Sequence, residues 1–390
     1  MLDDNDVSQL RIAVTSGHTQ SVVLTHVVLG GRSKINVTSG PSLNLHSLAG
    51  KNIDKRMAKR LDRCLNSAFK HLPKSLKERG LLPIDRLVVA LPGVSTIRDL
   101  EAGEMTIKGS KWPQSSIANF RVIDDTFAGL LAGAQSTQGI CAFAGTGASV
   151  FVGTPNGEHR HFVVGKPYKL DGFGPLLGDH GSGFRLAVAA LESLCRWIDT
   201  AVPIPDDLND TSKRSYPLLL EKFLEKLQSS GKYVGSHGCF LQNWFDDQLS
   251  NRTPNWRFEV ASLAEIVTSL AQEGDNFSRK LVEESAAALA KTVRLALDSP
   301  DFADMHNAQI FCQGGVFRHS PFYFEKFQET LSRQGKSNDV QLSRFQPCVG
   351  ALLMACTDDR TFPRSDKLQV LLNDLEAVVA ANKRLIFNRV

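Results

Sequence analysis

One stretch of the chain is far richer in glycine than the rest, Asp171-Gly-Phe-Gly-Pro-Leu-Leu-Gly-Asp-His-Gly-Ser-Gly183. Five of its thirteen residues are glycine, which permits positive φ angles and close backbone approach to a ligand but costs conformational entropy on folding. Apolar residues then recur at helical spacing from 184 to 198. Because a helix N-terminus attracts polar and anionic groups, the pattern predicts a ligand-binding loop. A turn that only starts the helix is the alternative.

Two strand–turn–strand units precede this loop and have the same construction. In the first, a strand at 10–14 and an apolar run at 21–29 flank the turn Thr15-Ser-Gly-His-Thr-Gln20. In the second, strands at 140–144 and 149–152 flank Gly145-Thr-Gly-Ala148. Short glycine-containing turns between apolar runs are typical of hairpins. Two such units starting more than 120 residues apart predict a duplicated α/β domain.

The rest of the chain alternates between strand and helix patterns. Arg86–Leu91 is a near-continuous apolar run, as expected for a strand buried on both faces. Short strands are also predicted at 120–123 and 308–312. Helices are predicted at 52–71, at 127–134 and from about 320, and an amphipathic closing helix is predicted at 365–388. Most of 182–297 is also predicted to be helical, apart from polar loops at 199–217 and 229–256.

Length and composition narrow the class of protein. A chain of 390 residues is long enough for two domains. Its net charge of +4 gives no reason to expect binding to nucleic acid, and the basic residues at 51–79 fit a solvated helix face. Seven cysteines without a Cys-x-x-Cys pair predict reduced thiols in a cytoplasmic protein and no zinc site. We expect neither a signal peptide nor a membrane span, and we expect His159-Arg-His161 to be an exposed hairpin tip.

Four segments follow predicted strands directly, where open α/β sheets bind their ligands. They are the turn at 15–21, the pair Asp124-Asp125, the turn Gly145-Thr-Gly147 and the pair Gly314-Gly315. Each is a weak signal by itself, because many such segments are only turns. Together, in this order and with the glycine-rich loop, they indicate one ligand site.

At these motifs the sequence resembles the acetate and sugar kinase, Hsc70 and actin superfamily, specifically its N-acetylglucosamine kinase and BadF/BadG/BcrA/BcrD ATPase branch. The segment 172–183 is similar to the sugar-side loop of that branch, and Ala271-Gln-Glu-Gly-Asp-Asn276 is similar to its helical signature. Gly314-Gly-Val-Phe317 resembles the adenosine motif, and Pro347-Cys-Val-Gly-Ala-Leu352 resembles the start of the closing helix. The likeness covers about residues 10–360 in consistent order.

The resemblance implies an α/β fold of two ribonuclease H-like domains of the actin/hexokinase type, with ATP and a sugar meeting in the cleft between them. We expect these domains at 1–133 and 134–364, with the closing helix at about 365–390 packing back on the first. The implied reaction is ATP-dependent phosphorylation of an amino sugar, with N-acetylglucosamine as the first candidate and Mg²⁺ accompanying ATP. The implied partners are small molecules rather than nucleic acid or membrane, and a homodimer is left open.

The branch uses the aspartate after its central strand as catalytic base, which corresponds to Asp125. A positioned carboxylate can accept the proton of a sugar hydroxyl as the phosphoryl group transfers. Asp124 is the competing candidate and could equally cap the following helix. For the sugar, the resemblance implies Asn44, Gly93, Asp125, Phe173, Gly174 and Asp179. For the nucleotide it implies Gly17, Thr19, Gly145, Thr146, Gly147, Gly314 and Gly315, with plain turns as the alternative for the glycine segments.

The turn at 15–19 departs most from the branch. Thr15 stands where related kinases have an acid that helps to hold magnesium through water, while Ser16 and His18 replace glycines. A side chain at His18 restricts φ and would crowd the phosphates. His180 also replaces the usual glutamate, and Pro92 replaces a frequent serine. Two alternatives therefore stay open: a catalytically impaired sugar-binding or regulatory relative, and an ATPase coupled to a redox partner.

Overall fold

A computed structural model describes residues 7–17, 20–29, 32–44, 53–72, 83–94, 97–112, 117–153, 168–200, 218–228, 237–251, 256–305, 307–333, 339–357 and 366–381. The predictions for His18, Thr19 and the hairpin tip at 159–161 lie outside these residues. Among the helices of the described ranges, none combines the length and apolar character needed to cross a membrane.

The first half of the chain forms a five-stranded sheet in the order β3-β2-β1-β4-β5. Its strands are β1 (Val7–Ser16), β2 (Gln20–Leu29), β3 (Arg32–Pro41), β4 (Arg86–Leu91) and β5 (Phe120–Asp124). β1, β2 and β3 are antiparallel neighbours, whereas β4 and β5 run parallel to β1. In β4 every residue after Arg86 is buried, which confirms the prediction of a strand covered on both faces.

A second five-stranded sheet has the order β10-β9-β6-β7-β8. Its strands are β6 (Gly139–Ala144), β7 (Ala148–Gly153), β8 (Lys169–Asp171), β9 (Ile310–Gln313) and β10 (Val340–Leu342). β6, β7 and β8 are antiparallel neighbours, and β9 and β10 run parallel to β6. In chain order, the five strands β6 to β10 of this sheet occupy the same positions and have the same directions as β1 to β5 of the first sheet. The predicted duplication of an α/β unit is confirmed.

The helices surround these sheets. They are α1 (Ile53–Lys70), α2 (Ile97–Lys108), α3 (Asp125–Ala134), α4 (Gly183–Thr200), α5 (Leu218–Gln228), α6 (His237–Asn251), α7 (Trp256–Ala261), α8 (Ala264–Glu273), α9 (Asn276–Asp298), α10 (Gly315–His319), α11 (Pro321–Arg333), α12 (Pro347–Cys356) and α13 (Asp366–Ala381), with a 3₁₀ helix at Pro300–Met305.

Most predicted elements are confirmed, and the differences have identifiable causes. The prediction of a loop over 229–256 is wrong where α6 lies, because Leu241 and Trp244 are buried on one side of an otherwise polar helix. β3 was not predicted, since Ile35 is its one buried side chain among those described. α2 was not predicted either. β8 and β10 have three residues each, too few to show a period.

Helices α3 and α12 pack between the two sheets. α3 contacts β6, β7 and β9, while α12 contacts β1 and β4. Gly350 brings α12 so close to α3 that any Cβ at this position would clash with the carbonyl oxygen of Ala128. The apolar side chains of both helices share one core with residues of both sheets, to which α13 adds Leu371 and Leu375. This shared core fixes the strand ends of the first sheet relative to the strand ends of the second sheet.

Candidate functional site

A cavity of about 800 Å³ lies between the two sheets and is bordered by the turns that follow β1 and β6. Predicted site residues that line it are Gly17, Asn44, Gly93, Asp125, Thr146, Gly147, Phe173, Gly174, Asp179, Gly314 and Gly315. Gly145 lies in the β6–β7 turn without lining the cavity. Thr19 falls outside the described residues. The fold thus brings both predicted ligand sets to one concave space, the usual form of a small-molecule site.

The turn that joins β6 to β7 is held by backbone hydrogen bonds. The Gly145 N–H donates to the Gly147 carbonyl at 2.8 Å. The Gly183 N–H donates to the Gly145 carbonyl at 2.8 Å, and the Phe184 N–H donates to the Thr146 carbonyl at 3.3 Å. The start of α4 therefore carries this turn. A Cβ on Gly147 would lie 3.0 Å from Oδ2 of Asp179, so the carboxylate packs directly against bare backbone.

The turn that joins β1 to β2 is held largely by side-chain hydroxyls. Its backbone bond runs from the Gly17 N–H to the Gln20 carbonyl at 2.8 Å. Oγ of Ser16 accepts from the Leu43 N–H at 2.8 Å, and Oγ of Ser42 donates to the Gly17 carbonyl at 2.7 Å. Asn44, the next residue along, is buried and lines the cavity. This turn is therefore tied to the residue predicted to bind sugar.

Thr15, at the end of β1, has a buried hydroxyl on the same cavity. Within the described part of the chain, its Oγ1 has no hydrogen-bond partner. A buried hydroxyl without a partner is unfavourable by about 1–3 kcal/mol. Thr15 lines the cavity, although its hydroxyl oxygen itself is buried.

Asp171 organises the glycine-rich loop. Its Oδ1 accepts from the N–H groups of Gly172 and Asp179, each at 2.7 Å. Its Oδ2 accepts from the His180 N–H at 2.8 Å and lies 3.0 Å from Nδ1 of the His180 ring. Both Asp171 (φ 62°) and Asp179 (φ 57°) have left-handed backbone angles, which non-glycine residues rarely adopt. His180 therefore binds within the loop, and its half-exposed ring is not part of the cavity lining.

The two adjacent aspartates have different surroundings. Oδ1 of Asp124 accepts from the N–H groups of Thr126 (2.8 Å) and Phe127 (3.4 Å), which confirms the alternative that Asp124 caps the helix. Its Oδ2 pairs with Nζ of Lys169 at 2.7 Å. Asp124 is thus fully engaged in the structure. Asp125, the first residue of α3, lines the cavity.

The surroundings of Asp125 disfavour its charge. Burial and the neighbouring charge of Asp124 raise the pKa of Asp125 from 3.8 to about 7, while Lys169 opposes the rise. For Lys169, burial disfavours the ammonium, but the carboxylates of Asp124 and Asp125 outweigh it and raise its pKa. A carboxylate with a pKa near neutrality is suited to exchange protons with a substrate.

Asp179 is also buried at the cavity wall. Burial and the charge of Asp171 raise its pKa, whereas N–H groups of Ala148 and Gly174 and the charge of Arg257 oppose this. The carboxylate is thereby held in place by loop and turn backbone together.

The predicted adenosine segment begins a short helix. Gly314 has φ of 101° and lies so close to β6 that a Cβ would clash with the carbonyl oxygen of Ala144. At Gly315 a Cβ would have open space, with His319 4.0 Å away. Bare backbone therefore faces the cavity at this point, where a flat ligand group can approach closely.

The family model described as the BadF/BadG/BcrA/BcrD ATPase family matches residues 47–355 of the sequence. The chain belongs to this family. Two relatives are similar to it at low identity. The N-acetylmuramic acid/N-acetylglucosamine kinase of Clostridium acetobutylicum is 22% identical over 237 residues, 60% of this chain and 66% of the relative. The N-acetyl-D-glucosamine kinase of Dictyostelium discoideum is 22% identical over 357 residues, 89% of this chain and 98% of the relative.

Two solved structures share the fold. A candidate N-acetylglucosamine kinase from Chromobacterium violaceum has a TM-score of 0.56 at 19% identity, covering 89% of this chain and 99% of that chain. A second, from Porphyromonas gingivalis, has a TM-score of 0.52 at 15% identity, covering 88% of this chain and 98% of that chain. Together with the two sheets of identical topology, these likenesses confirm the predicted α/β fold of the actin/hexokinase type.

Sequence reasoning missed several cavity residues of this family member. Lys169 directly precedes the quoted loop, but nothing in its local sequence shows that it meets Asp124. Trp256 and Arg257 begin α7 and line the cavity, with the guanidinium 5.6 Å from the centre of the Trp256 ring. Trp256 is the last residue of the polar stretch 229–256 that was predicted as loop, and Arg257 follows it. An aromatic–basic pair at the end of that stretch was the available signal.

Proposed function

We propose that the protein transfers the γ-phosphoryl group of ATP to a hydroxyl of an amino sugar, with N-acetylglucosamine as the first candidate. The proposal rests on one observation: Asp125 lines the same cavity as the two turns, Gly17 and Gly147, and the loop residue Asp179. The kinase names of both relatives support it. A proton acceptor between a phosphate-binding region and a sugar-binding loop is the minimum that such a reaction needs.

In the proposed reaction, Asp125 accepts the proton of the attacking sugar hydroxyl. The hydroxyl oxygen forms a bond to the γ-phosphorus as the bond from that phosphorus to the β-phosphate oxygen breaks, and ADP leaves. The carboxylate must be ionised for this step, and its raised pKa makes it a stronger base than an exposed aspartate.

We assign the sugar to Asn44, Gly93, Asp125, Phe173, Gly174 and Asp179. A buried amide and a buried carboxylate, Asn44 and Asp179, can orient sugar hydroxyls. The side chain of Phe173 is 74% exposed beside the cavity and can cover the apolar face of the ring. This combination of polar groups and one aromatic ring suits a carbohydrate.

We assign ATP to the two turns and the adenosine segment. Gly17 and Thr19 would meet the phosphates from the first sheet, and Gly145, Thr146 and Gly147 from the second, through backbone N–H groups of the kind that bind anions. Gly314 and Gly315 would lie against adenosine. Both turns border the same cavity, which supports a shared phosphate position.

The residues present fit Mg²⁺ arriving with the nucleotide. Mg²⁺ keeps several waters and binds through phosphates and one or two carboxylates rather than a full protein cage. The described residues include no group of three or more His, Cys, Asp or Glu that could form such a cage. At this cavity the phosphates of the nucleotide and water would therefore supply most ligands of the ion. When bound, Mg²⁺ neutralises phosphate charge.

We further propose two domains at 1–133 and 134–364. α3 ends at Ala134, close to the proposed boundary. Contacts of α13 with β3 support the proposal that the closing helix packs on the first domain. Helix α12 also contacts the first sheet, through β1 and β4.

We also propose the cytoplasm as the place of the reaction, since cysteines such as Cys141 and Cys312 are free thiols.

A sugar-binding protein without turnover is the second candidate. Thr15 supplies a hydroxyl where related kinases have an acid, and Ser16 uses its side chain to bind Leu43. Both features weaken the case for tight binding of the metal–nucleotide pair at the first turn.

An ADP-release assay with a panel of amino sugars tests these candidates. The kinase proposal expects turnover with N-acetylglucosamine or a close relative and its loss in Asp125→Asn. Calorimetric binding of a sugar without ADP release at any ATP concentration would favour the second candidate. ADP release independent of every sugar would instead indicate an ATPase.

A further inference from the structure

One ammonium group lies among three carboxylates at the cavity. Lys169 on β8 is nearly buried, with 9% of its side chain exposed, and it pairs at 2.7 Å with Asp124, whose side chain is 1% exposed. Asp125 and Asp179 also act on its charge. Lys169, Asp125 and Asp179 line the cavity.

Both oxygens of the Asp124 carboxylate are engaged in hydrogen bonds. One of its oxygens caps α3 through two N–H groups, and the other accepts from Lys169. Asp125 therefore directly follows a carboxylate whose position is fixed by the helix cap and by the ion pair with Lys169.

We propose that Lys169 is a positioning residue: its ammonium balances the charge of Asp124 and thereby keeps the adjacent Asp125 carboxylate ionised and ready to accept the substrate proton. The inference rests on the proposed function in one respect, the role of Asp125 as base. It adds a residue on β8, 44 positions away from Asp125 in the chain, to the machinery of the reaction.

Neither the thiols of Cys141 and Cys348 nor the carboxylate of Asp179 can replace Lys169, and the charge of Arg257 acts on Asp179. Cys141 on β6 and Cys348 on α12 are buried thiols, and burial raises the pKa of both, so they stay neutral. Burial and Asp124 raise the pKa of Asp125, and Lys169 is the cation that lowers it. Asp179 carries the same sign of charge as Asp124. Among these groups the ammonium alone favours an ionised base.

The test compares Lys169→Met with Lys169→Arg in the full chain. The pH dependence of kcat/KM should have its acid limb displaced upward by about one pH unit in Lys169→Met, because a nearby opposite charge shifts the pKa of a carboxyl group by about one to three units. Activity at pH 7 should fall about fivefold and recover at higher pH. Lys169→Arg should keep the limb close to that of the wild type.

A matched control is Lys222→Met. Lys222 forms a 2.9 Å ion pair with Glu225 on α5, outside the cavity lining, so its loss should leave the pH profile unchanged. An acid limb that does not move in Lys169→Met would overturn the proposal. A loss of kcat that is equal at every pH would also overturn it, because that result indicates direct contact with substrate.

Asp124→Asn gives the opposite displacement and serves if Lys169→Met does not fold. Asparagine keeps the oxygen that caps α3, while loss of the negative charge releases Lys169 toward Asp125. The acid limb should then move downward by about one pH unit. A limb that stays in place or moves upward contradicts the proposal.

A readout without turnover separates this inference from the proposed function. Carbon-13 NMR of aspartate carboxyl groups follows the titration of Asp125 directly, with its signal identified by its absence in Asp125→Asn. If no amino sugar is phosphorylated but the Asp125 signal titrates higher in Lys169→Met, the proposed function fails and the role of Lys169 stands. If the signal titrates at the same pH in both proteins, the Lys169 proposal fails by itself.

Discussion

The β1–β2 turn and the β6–β7 turn occupy equivalent positions in two sheets of the same strand order, yet they are held in different ways. Backbone bonds from Gly183 and Phe184 hold the β6–β7 turn. The hydroxyls of Ser16 and Ser42 hold the β1–β2 turn, and they connect it to the segment that contains Asn44. Two sheets of the same topology therefore hold their equivalent turns by different hydrogen bonds.

This difference shows how equivalent turns in two duplicated sheets can have different roles in ligand binding. A turn held by its own backbone can keep Gly-Thr-Gly open toward a ligand, with Asp179 packed against it. A turn held by hydroxyls transmits any displacement to the segment beside it. We expect the β1–β2 turn to couple nucleotide and sugar binding, and the β6–β7 turn to hold its ligand groups rigidly.

Asp125→Asn should have the largest effect, because it removes the carboxylate that we propose as proton acceptor. We expect kcat to fall about 10³-fold, in the range typical for loss of a general base. Asp301→Asn, an exposed site in the 3₁₀ helix, is the control. A kcat within tenfold of the wild type in an ADP-release assay would show that the cavity works without this carboxylate.

The pH profile should give the next largest effect. Since Asp125 must be ionised and its pKa is raised to about 7, kcat/KM should fall about tenfold per pH unit below 7 and about 100-fold by pH 5. The free energy of unfolding should change with pH in the opposite direction to activity. The contribution of Asp125 to the free energy of unfolding is complete below pH 3.8, its ordinary pKa, and is lost as the pH rises through about 7. Thermal unfolding at pH 8 should therefore show Asp125→Asn to be more stable than the wild type, and a less stable variant would contradict the shift.

The same substitution in each turn sharpens the comparison. In Gly147→Ala the new Cβ lies 3.0 Å from Oδ2 of Asp179, so the KM for sugar should rise about tenfold, consistent with an overpacking penalty of about 1–3 kcal/mol. In Gly17→Ala the new Cβ lies 3.0 Å from the Gln20 carbonyl, so the KM for ATP should rise more than that for sugar. Identical effects of the two variants on both substrates would remove the distinction between the turns.

Ser16→Ala should have the smallest effect. It leaves the Leu43 N–H without its acceptor, which should lower the free energy of unfolding by about 1 kcal/mol in urea denaturation. Because the bond connects the turn to Asn44, KM should rise a few-fold for ATP and sugar together. Ser262→Ala, on a hydroxyl that donates to the Glu259 carbonyl away from the cavity, should leave both KM values unchanged. A change in one substrate only would break the proposed coupling.

Local patterns predicted much of this molecule because the forces involved are local. β4 is a continuous apolar run, and α1 buries one face at helical spacing, so both could be recognised within a few residues. α6 could not, since its polar composition hides a face that is buried only after other helices pack on it. The role of Asp124 as helix cap and partner of Lys169 also needed coordinates, because Lys169 is remote from it in the chain.

By itself, the sequence determined the two repeated strand–turn–strand units, the glycine-rich loop and the membership of the family, all of which depend on contiguous residues. Only the tertiary structure decided which charges meet. Lys169 reaches Asp124 because β8 joins the second sheet beside the start of α3, and Asp171 holds a loop whose far end returns to it. Such encounters depend on crossovers between strands, and the energy of a buried charge is set by neighbours that are remote in the chain.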